Sequence, residues 1–578
     1  MRLSEEATAL NKKIIIRTLE KIALYMELQA ENPFKVSAFR KAAAALETDE
    51  RSLSQIDDIT AIKGIGKGTA AVIHELMETG KSSVLEELEA AVPKGLVPLM
   101  KLPGLGGKKL AKLYQELNIV DAPSLKAACE TGQVRALAGF GAKTEEKILK
   151  ELENFGARAE RLPVWELELI VFDINKLLAS LPEVQRFSVA GSFRRVTETS
   201  KDIDFIIATE DPKAVREAIL SLLPVEETIA AGDTKVSVTL DLENPVSVDF
   251  RLVKQHEFAT ALHHFTGSKD HNVRMRQLAK SQGKKISEYG VEQPDGTVLT
   301  FDSEEAFFAH FDLPFIPPTV RESGRELERL DELAGLPQLE DIVSDLHMHT
   351  TWSDGAHSVA EMGEALIARG YQYGVITDHS QYLKVANGLT PERLDKQKLE
   401  IFAFNEAHPE FRLFRGTEMD ILPDASLDFD DDVMRELDFV IASIHSSFSQ
   451  AQEKIMERLF AAVKNPFVHM IAHPTGRIIG QRTGYDPDVP QLIEWAAEYG
   501  KILELNANPY RLDLATEYLQ MAMEKNVPIA INTDAHAIDQ LRFMDIGVKY
   551  AQKAWMKKEL IVNTWNVNQF EEFIRRHK

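Results

Sequence analysis

Asp341-Ile342-Val343-Ser344-Asp345-Leu346-His347-Met348-His349 is a short apolar run of strand character that ends in His-x-His. The same pattern recurs towards the C-terminus. Six more β-rich runs, at 373–377, 411–416, 438–443, 467–472, 501–505 and 527–532, alternate with amphipathic helical stretches. Seven such repeats predict parallel strands joined by helices, a βα barrel or a related parallel arrangement. In a parallel barrel the C-terminal strand ends meet on one face. Each predicted strand is followed there by polar residues: His347, His349 and Asp354 after the first, Asp378-His379 after the second, and Glu418 after the third. His445 follows the fourth, His473-Pro474 the fifth, Asn506 the sixth, and Asp534-Ala535-His536 the seventh.

One histidine at a strand end is usually a packing residue; His-x-His, Asp-His and Asp-x-His all at strand ends are not. Nine residues, His347, His349, Asp354, His379, Glu418, His445, His473, Asp534 and His536, would converge. Imidazole and carboxylate without thiolate suit two or three Mn²⁺ or Zn²⁺ ions, or Fe, rather than Cu(I) or an iron–sulfur cluster. Several such ions can clamp a phosphate and lower the pKa of a water, so phosphoester hydrolysis is the expected chemistry. His357, His408, His469 and His577 fall outside the pattern and read as surface or packing residues. With these motifs, residues 341–578 resemble a PHP (polymerase and histidinol phosphatase) domain, and all nine ligand positions of that family are matched. The resemblance implies a distorted (β/α)7 barrel with an active hydrolase centre. Arg477, four residues past His473, reads equally as a phosphate holder or a surface arginine.

Upstream, the texture differs. Strand-like runs at 187–191, 203–207, 235–240 and 246–250 surround Gly191-Ser192-Phe193-Arg194-Arg195, Asp202-Ile203-Asp204 and Asp249. Asp-x-Asp in a strand points both carboxylates to one face, and Asp249 on a neighbouring strand would complete a site for two Mg²⁺ or Mn²⁺. Such a site performs in-line nucleotidyl transfer, with the Gly-Ser turn and Arg195 holding phosphates. These residues resemble the catalytic palm of the family X DNA polymerases, and the match extends over residues 1–317. The resemblance implies that Asp202, Asp204 and Asp249 are catalytic. It implies nucleotide contacts from Arg161, Gly191, Ser192, Arg195, His264, Phe265, Gly267, Lys269 and Asn272. In His264-Phe265-Thr266-Gly267-Ser268, Phe265 and the backbone would crowd a ribose 2′-hydroxyl. Asn272 and Arg276 fall where the family reads the minor groove and the template, and Glu288-Tyr289 also matches.

Residues 1–155 read as helical, with three glycine signals at Gly64-Ile65-Gly66, Gly104-Leu105-Gly106 and Gly139-Phe140-Gly141. Within the resemblance the first two are helix-hairpin-helix turns whose N–H groups bind DNA phosphate without reading sequence. Phe34, Lys35 and Arg40 match the family's contacts with a 5′-phosphate at a gap. The third signal reads closer to a plain helix cap. Some positions depart from polymerase β. Val72 stands where that enzyme has its Schiff-base lysine, so no lyase activity of that kind is expected. Gly68 replaces a phosphate-binding lysine, His264 a tyrosine, Lys269 an aspartate, and Ser247 an arginine.

The fold expected is therefore multi-domain. It comprises helical helix-hairpin-helix domains at 1–90 and 91–157, an α+β nucleotidyltransferase palm at 158–255, and a thumb-type subdomain at 256–318. A charged helical linker at 319–340 then leads to the α/β PHP barrel at 341–578. Gapped or nicked DNA and deoxynucleoside triphosphates are the expected partners, with DNA-repair proteins as candidates and a monomer as the expected state. The rival readings are a small-molecule phosphatase with a vestigial polymerase module, and a non-catalytic DNA-end scaffold.

Bulk composition first argues the other way. The 578 residues carry 67 Lys and Arg against 90 Asp and Glu, a net charge of −23 that repels phosphate. The charge is uneven, however: residues 1–160 are neutral overall, whereas 161–320 carry about −8 and the remainder about −15. The single cysteine, Cys129, excludes an internal disulfide and a cysteine-based zinc cluster. Neither a bilayer-spanning apolar run nor a signal-peptide core is seen, which reads as cytoplasmic.

Overall fold

A computed structural model describes residues 12–48, 56, 58–93, 95–102, 105–158, 161–242 and 244–576. The chain forms two compact units: a helical one running to residue 160 that also takes in Leu383–Gly388, and one made of Arg161–Tyr382 and the stretch from Leu389 to the C-terminus.

In the helical unit, Lys12–Leu28 packs along Pro33–Thr48, and three later helices, Lys67–Thr79, Gly107–Leu117 and Ala142–Arg158, each follow one of the glycine signals. One apolar core runs from Ile15 to Leu152. Cys129 lies inside it, and burial, with Glu145 and Glu130 nearby, pushes its thiol up to about 11.

In the second unit, after a two-residue strand Leu162–Pro163 paired with Thr199–Ser200, helix Val164–Ser180 lies on a five-stranded sheet. Its strands are β1 (Arg186–Val189), β2 (Asp202–Ala208), β3 (Val225–Ala231), β4 (Lys235–Leu240) and β5 (Val246–Val253), in the spatial order β1-β2-β5-β4-β3. Only β2 and β5 pair in parallel. Four of the five follow the sequence reading. The fifth, β3, is an edge strand whose Glu226, Glu227, Thr228 and Ile229 are all exposed, so it lacks the alternation that marks a half-buried strand.

The barrel contains seven parallel strands in sequential order: β6 (Ser344–Asp345), β7 (Tyr373–Ile376), β8 (Arg412–Asp420), β9 (Phe439–Ser443), β10 (Met470–Ile471), β11 (Ile502–Asn506) and β12 (Ile529–Asn532). A bridge between Met348 and Ala535 brings the two edges together just past β6 and β12, so the barrel is nearly closed. The strands β6 and β10 are shorter than their sequence runs. Side chains alternate with period two. Tyr373, Val375, Phe414, Phe439 and Ile441 gather with Phe570 of the C-terminal helix, while Ile376, Leu413, Val440 and Ala442 join the cluster under the outer helices. Full burial of each large apolar side chain contributes about 1.5–3 kcal/mol.

Within the linker expected at 319–340, the charged stretch 321–336 is not one helix: it forms two 3₁₀ segments, Arg325–Glu328 and Leu330–Gly335, and is docked. Gly324 at φ +76° breaks a helix there. Arg321 is fully buried against Glu304 at 2.7 Å, and Glu326 is buried against His271 at 2.7 Å. Among the described residues no helix is long and apolar enough to cross a membrane.

Candidate active sites

All nine residues expected at the barrel's strand ends meet at one place. Glu418, within β8, is the hub. Its Oε1 lies 2.8 Å from His473 Nε2 and 3.1 Å from His445 Nε2; its Oε2 lies 3.0 Å from His379 Nδ1, 3.3 Å from His347 Nε2 and 3.5 Å from His349 Nε2. Donor atoms of eight of the nine fall into three overlapping groups: His349, Asp354, His379 and His536; His347, His349, Glu418 and Asp534; and His379, Glu418 and His445; His473 belongs to none of the three and joins the cluster through Glu418. Each pair of groups shares one residue, the arrangement of a triangle of cation positions. His347 Nε2, His349 Nδ1, both nitrogens of His379, Glu418 Oε2 and His473 Nδ1 are buried without a hydrogen-bond partner. Leaving such atoms unpaired costs about 1–3 kcal/mol each, so the donor set fits divalent cations. Two of the nine, His473 (φ +28°) and Asp534 (φ +53°), hold left-handed backbone, as residues fixed by a site often do.

The surroundings orient the donors. Glu504 on β11 accepts from His347 Nδ1 at 2.7 Å and from the His473 amide at 2.6 Å, which aims His347 Nε2 inward. Asp420 takes His445 Nδ1 at 3.1 Å. Asp378 accepts from Thr350 N and Oγ1, Ser353 Oγ and Gln397 Nε2, anchoring the loop that carries His349 and Asp354. Burial disfavours charge on His445, but Asp420 and Glu418 outweigh it and raise its pKa to about 10. Burial dominates at His349, reinforced by His536 and His379, and holds that imidazole neutral, the form that binds metal.

In the palm, register does the assembly. Pairing of β2 with β5 sets Asp204 opposite Asp249 and Asp202 opposite Ser247. Burial, then Asp202, then Asp249 raise Asp204 to about 7, as expected for acids crowded where a cation belongs. Lys235 Nζ stands 2.8 Å from Asp249 Oδ2. Gly191, at φ +60°, starts the short helix Gly191–Arg194; a Cβ there would lie 2.2 Å from Asp204 Oδ2. Ser192 is hydrogen-bonded to Ser200, whose hydroxyl donates to the Asp202 carbonyl at 2.8 Å. Arg195 donates from Nη1 to the Thr266 carbonyl at 2.6 Å and from Nε to Glu322 at 3.2 Å. Arg161 is held by Thr199, through Nε to Oγ1 at 3.0 Å and Nη2 to the carbonyl at 2.6 Å.

The turn at 264–268 lies beside this centre. Gly267 has φ +69°, the Phe265 ring lies under the Arg251 guanidinium at 4.6 Å, and Asn272 Nδ2 donates to the His264 carbonyl at 2.7 Å. Burial lowers the pKa of His264. Lys269 and Arg276 are exposed.

In the helical unit, Gly64 has φ +113° and Gly66 caps Lys67–Thr79, while Gly106 caps Gly107–Leu117. Gly104 lies outside the described residues, as does His577. Phe34 is 86% exposed beside Lys35 and Arg40, and Arg40 is paired with Glu27 at 2.8 Å. Arg40, Lys41, Lys108 and Lys112 line one cavity of about 680 Å³.

Comparison with known proteins agrees with this geometry. A helix-hairpin-helix domain model matches residues 11–82, a SAM-like helix-hairpin-helix tandem model residues 56–118 and 99–154, a DNA polymerase beta thumb model residues 261–322, and a PHP domain model residues 345–508. A Bacillus subtilis (strain 168) protein named "DNA polymerase/3'-5' exonuclease PolX" is 57% identical over 569 residues, 98% of this chain and 100% of that protein. The chain belongs to the family X DNA polymerases that carry a PHP domain. A "Probable phosphatase" of Acetivibrio thermocellus is 29% identical over 245 residues, 41% of this chain and 96% of its own length. Another from Caldanaerobacter subterraneus subsp. tengcongensis is 26% identical over 252 residues, 41% of this chain and 92% of its own.

Within this family X chain, several sequence readings change. The third glycine signal, read as a plain cap, lies inside the second tandem match, and Gly139 at φ +92° repeats the turn geometry of Gly64. Arg477 is neither a surface group nor open to phosphate. Its Nη2 donates to Glu198 of the palm at 2.8 Å and its Nε to the Arg511 carbonyl at 3.0 Å. Val72 is buried. Of the histidines outside the ligand pattern, His469 is buried, His408 pairs with Glu364, and His357 Nδ1 accepts from the Ile538 amide. Sequence reading missed Glu504, Asp420 and Lys235, and also the buried His263–His271 pair in the thumb, whose Nε2 atoms are 3.0 Å apart. A glutamate in the middle of the apolar run Ile502–Asn506 was the one signal for Glu504.

Proposed function

We propose that this chain is a DNA repair enzyme that fills short gaps by template-directed nucleotidyl transfer and trims 3′ ends at its barrel as a 3′→5′ exonuclease. The reading rests on one observation: a three-carboxylate palm centre with Asp204 in register with Asp249, and a nine-residue His/carboxylate centre, occur intact on one chain. The identity to the Bacillus subtilis polymerase/exonuclease runs through both halves.

At the palm, Asp202, Asp204 and Asp249 would hold two Mg²⁺ or Mn²⁺, which when bound favour attack by the primer 3′-hydroxyl and neutralise the triphosphate. Gly191 keeps the backbone clear of Asp204. Ser192, Arg195 and Arg161 receive phosphate oxygens, and Phe265 with the Gly267 backbone excludes a 2′-hydroxyl. Asn272 and Arg276 face the nascent pair, and exposed Lys269 adds a cation near the incoming base. Gly64, Gly66, Gly104 and Gly106 belong to the turns that hold the DNA backbone, and Phe34, Lys35 and Arg40 to the gap's 5′-phosphate side.

At the barrel, His347, His349, Asp354, His379, Glu418, His445, His473, Asp534 and His536 would hold two or three Mn²⁺ or Zn²⁺, with Fe as a third candidate. Bound there, such ions polarise the phosphoryl group and stabilise the leaving oxygen. Glu504 and Asp420 fix the imidazole orientations, and the burial of the cluster keeps bulk water out. Abasic-site cleavage and 3′-phosphate removal use the same chemistry. The probable phosphatases match 41% of this chain, whereas the Bacillus subtilis polymerase/exonuclease matches 98%, and a phosphatase with a vestigial polymerase leaves the palm carboxylates unexplained. We place the enzyme in the cytoplasm, as a monomer acting on gapped or nicked DNA.

Two variants test this. Asp202→Ala/Asp204→Ala should abolish primer extension and leave 3′ degradation intact. His347→Ala/His349→Ala should do the reverse. If extension survives the first, or degradation survives the second, the assignment of the two reactions is wrong.

A further inference from the structure

We propose that Glu322 of the connecting segment and Lys553 of the barrel are positioning residues of the polymerase centre, holding Arg195 and the turn Thr266–Ser268 in the geometry that takes the incoming nucleotide. Glu322 Oε1 accepts from Arg195 Nε at 3.2 Å and from Lys553 Nζ at 2.5 Å, and Lys553 Nζ also donates to the Arg195 carbonyl at 3.2 Å. The turn is fastened to Glu322 and to its neighbour Arg321. The Ser268 amide donates to the Arg321 carbonyl at 2.9 Å, and Ser268 Oγ to the Glu322 carbonyl at 2.6 Å. Arg195 Nη1 closes the ring on the Thr266 carbonyl. This leaves Nη2 as the guanidinium nitrogen with no protein partner among the described residues, the edge available to a phosphate oxygen.

Lys553 is itself rigidly presented. It is the last residue of helix Phe543–Lys553, where a cation is favoured by the helix dipole, and its side chain is 15% exposed. Its neighbour Gln552 accepts from Thr319 Oγ1 at 2.9 Å and donates to the Pro337 carbonyl at 2.8 Å, so this barrel helix grips the connecting segment on both sides of Glu322. Loss of Lys553 leaves the whole charge of Glu322 on Arg195, in competition with the triphosphate. Loss of the Glu322 charge removes the Nε anchor. Both changes act on nucleotide binding and on the sugar-sensing turn, rather than on the carboxylates that do the chemistry.

The proposal rests on the reading of Arg195 and the turn as nucleotide contacts, and the test separates the two. Steady-state filling of a one-nucleotide gap by the full-length protein is measured with a deoxynucleoside triphosphate and with its ribonucleotide. Lys553→Met and Glu322→Gln should each raise the KM for the deoxynucleotide about five- to tenfold with a smaller change in kcat, and should lower deoxy-over-ribo selectivity. Lys553→Arg, which keeps the cation, should stay near wild type. The rate of 3′ degradation by the same preparations should be unchanged, showing that the barrel is folded. If Arg195→Ala leaves the KM unaltered, the reading of Arg195 fails. If Arg195→Ala raises it while Lys553→Met and Glu322→Gln do not, the positioning role fails and the reading stands. A parallel fall in kcat and in 3′ degradation without a KM change would show a merely structural role and overturn the proposal.

Discussion

The palm's three carboxylates stand on two neighbouring strands, where register alone sets Asp204 against Asp249; the barrel's nine donors come from strand ends spread from His347 to His536. The first centre is assembled by local geometry and consists of oxygen alone. It suits a hard cation that arrives with a nucleotide and leaves with the product. The second is assembled only when the barrel closes, and it adds imidazole to carboxylate in a buried cluster. It suits ions that stay. On the proposed assignment, one chain serves two phosphate chemistries through different ways of gathering charge.

If the palm depends on local geometry, its most sensitive point is backbone clearance. Gly191→Ala places a Cβ against Asp204 Oδ2 at a positive φ, and a displacement near 1 Å costs roughly 10²-fold in rate. Primer extension should fall by about that factor in kcat/KM, with 3′ degradation unaffected. An equal loss in both would break the comparison.

The barrel should instead be sensitive to the groups that aim its ligands. Glu504→Gln keeps the shape but weakens the hold on His347 and the His473 amide, and should lower metal affinity about 10–100-fold. Titrating 3′ degradation with Mn²⁺ after chelation should show the shift, with activity recovered at high Mn²⁺. No shift would mean that Glu504 only packs.

A smaller effect separates the centres by pH. Without cation, Asp204 has a folded pKa of about 7 against an ordinary value near 3.8. The folded state then binds more protons than the unfolded one between those values, so this group's contribution to stability falls as pH rises from about 4 to 7. A cation at the palm offsets the repulsion. The gain in melting temperature on adding Mg²⁺ should therefore be larger at pH 8 than at pH 5.5, and Asp204→Asn should remove that difference. A pH-independent gain in both proteins would contradict it.

The parts of this architecture that were legible in the sequence are those written in short range. The alternation in 235–240 and 246–250 and the Asp-x-Asp spacing predict the palm strands and one shared face. The seven repeats, each ending in His, Asp or Glu, or Asn506 in one case, predict the barrel and the gathering of imidazoles and carboxylates at its strand ends before any contact is known. What stayed hidden depends on packing between distant segments. Glu326 reads as one more charge in a polar run, and only docking onto His271 buries it. Arg477 sits where a phosphate arginine would, and only the palm's Glu198 shows where its donors go. The edge strand β3 carries exposed residues on both faces and so lacks a periodic signal.

The proposed assignment gives one chain two cation centres of different kinds. The anomalous scattering of Mn²⁺ in crystals soaked without nucleotide distinguishes them. Two or three peaks are expected among His349, His379, Glu418 and Asp534 that survive washing, with a palm signal between Asp202, Asp204 and Asp249 that strengthens only when nucleotide is added. Absence of peaks in the barrel, with ions bound at the palm alone, would contradict it.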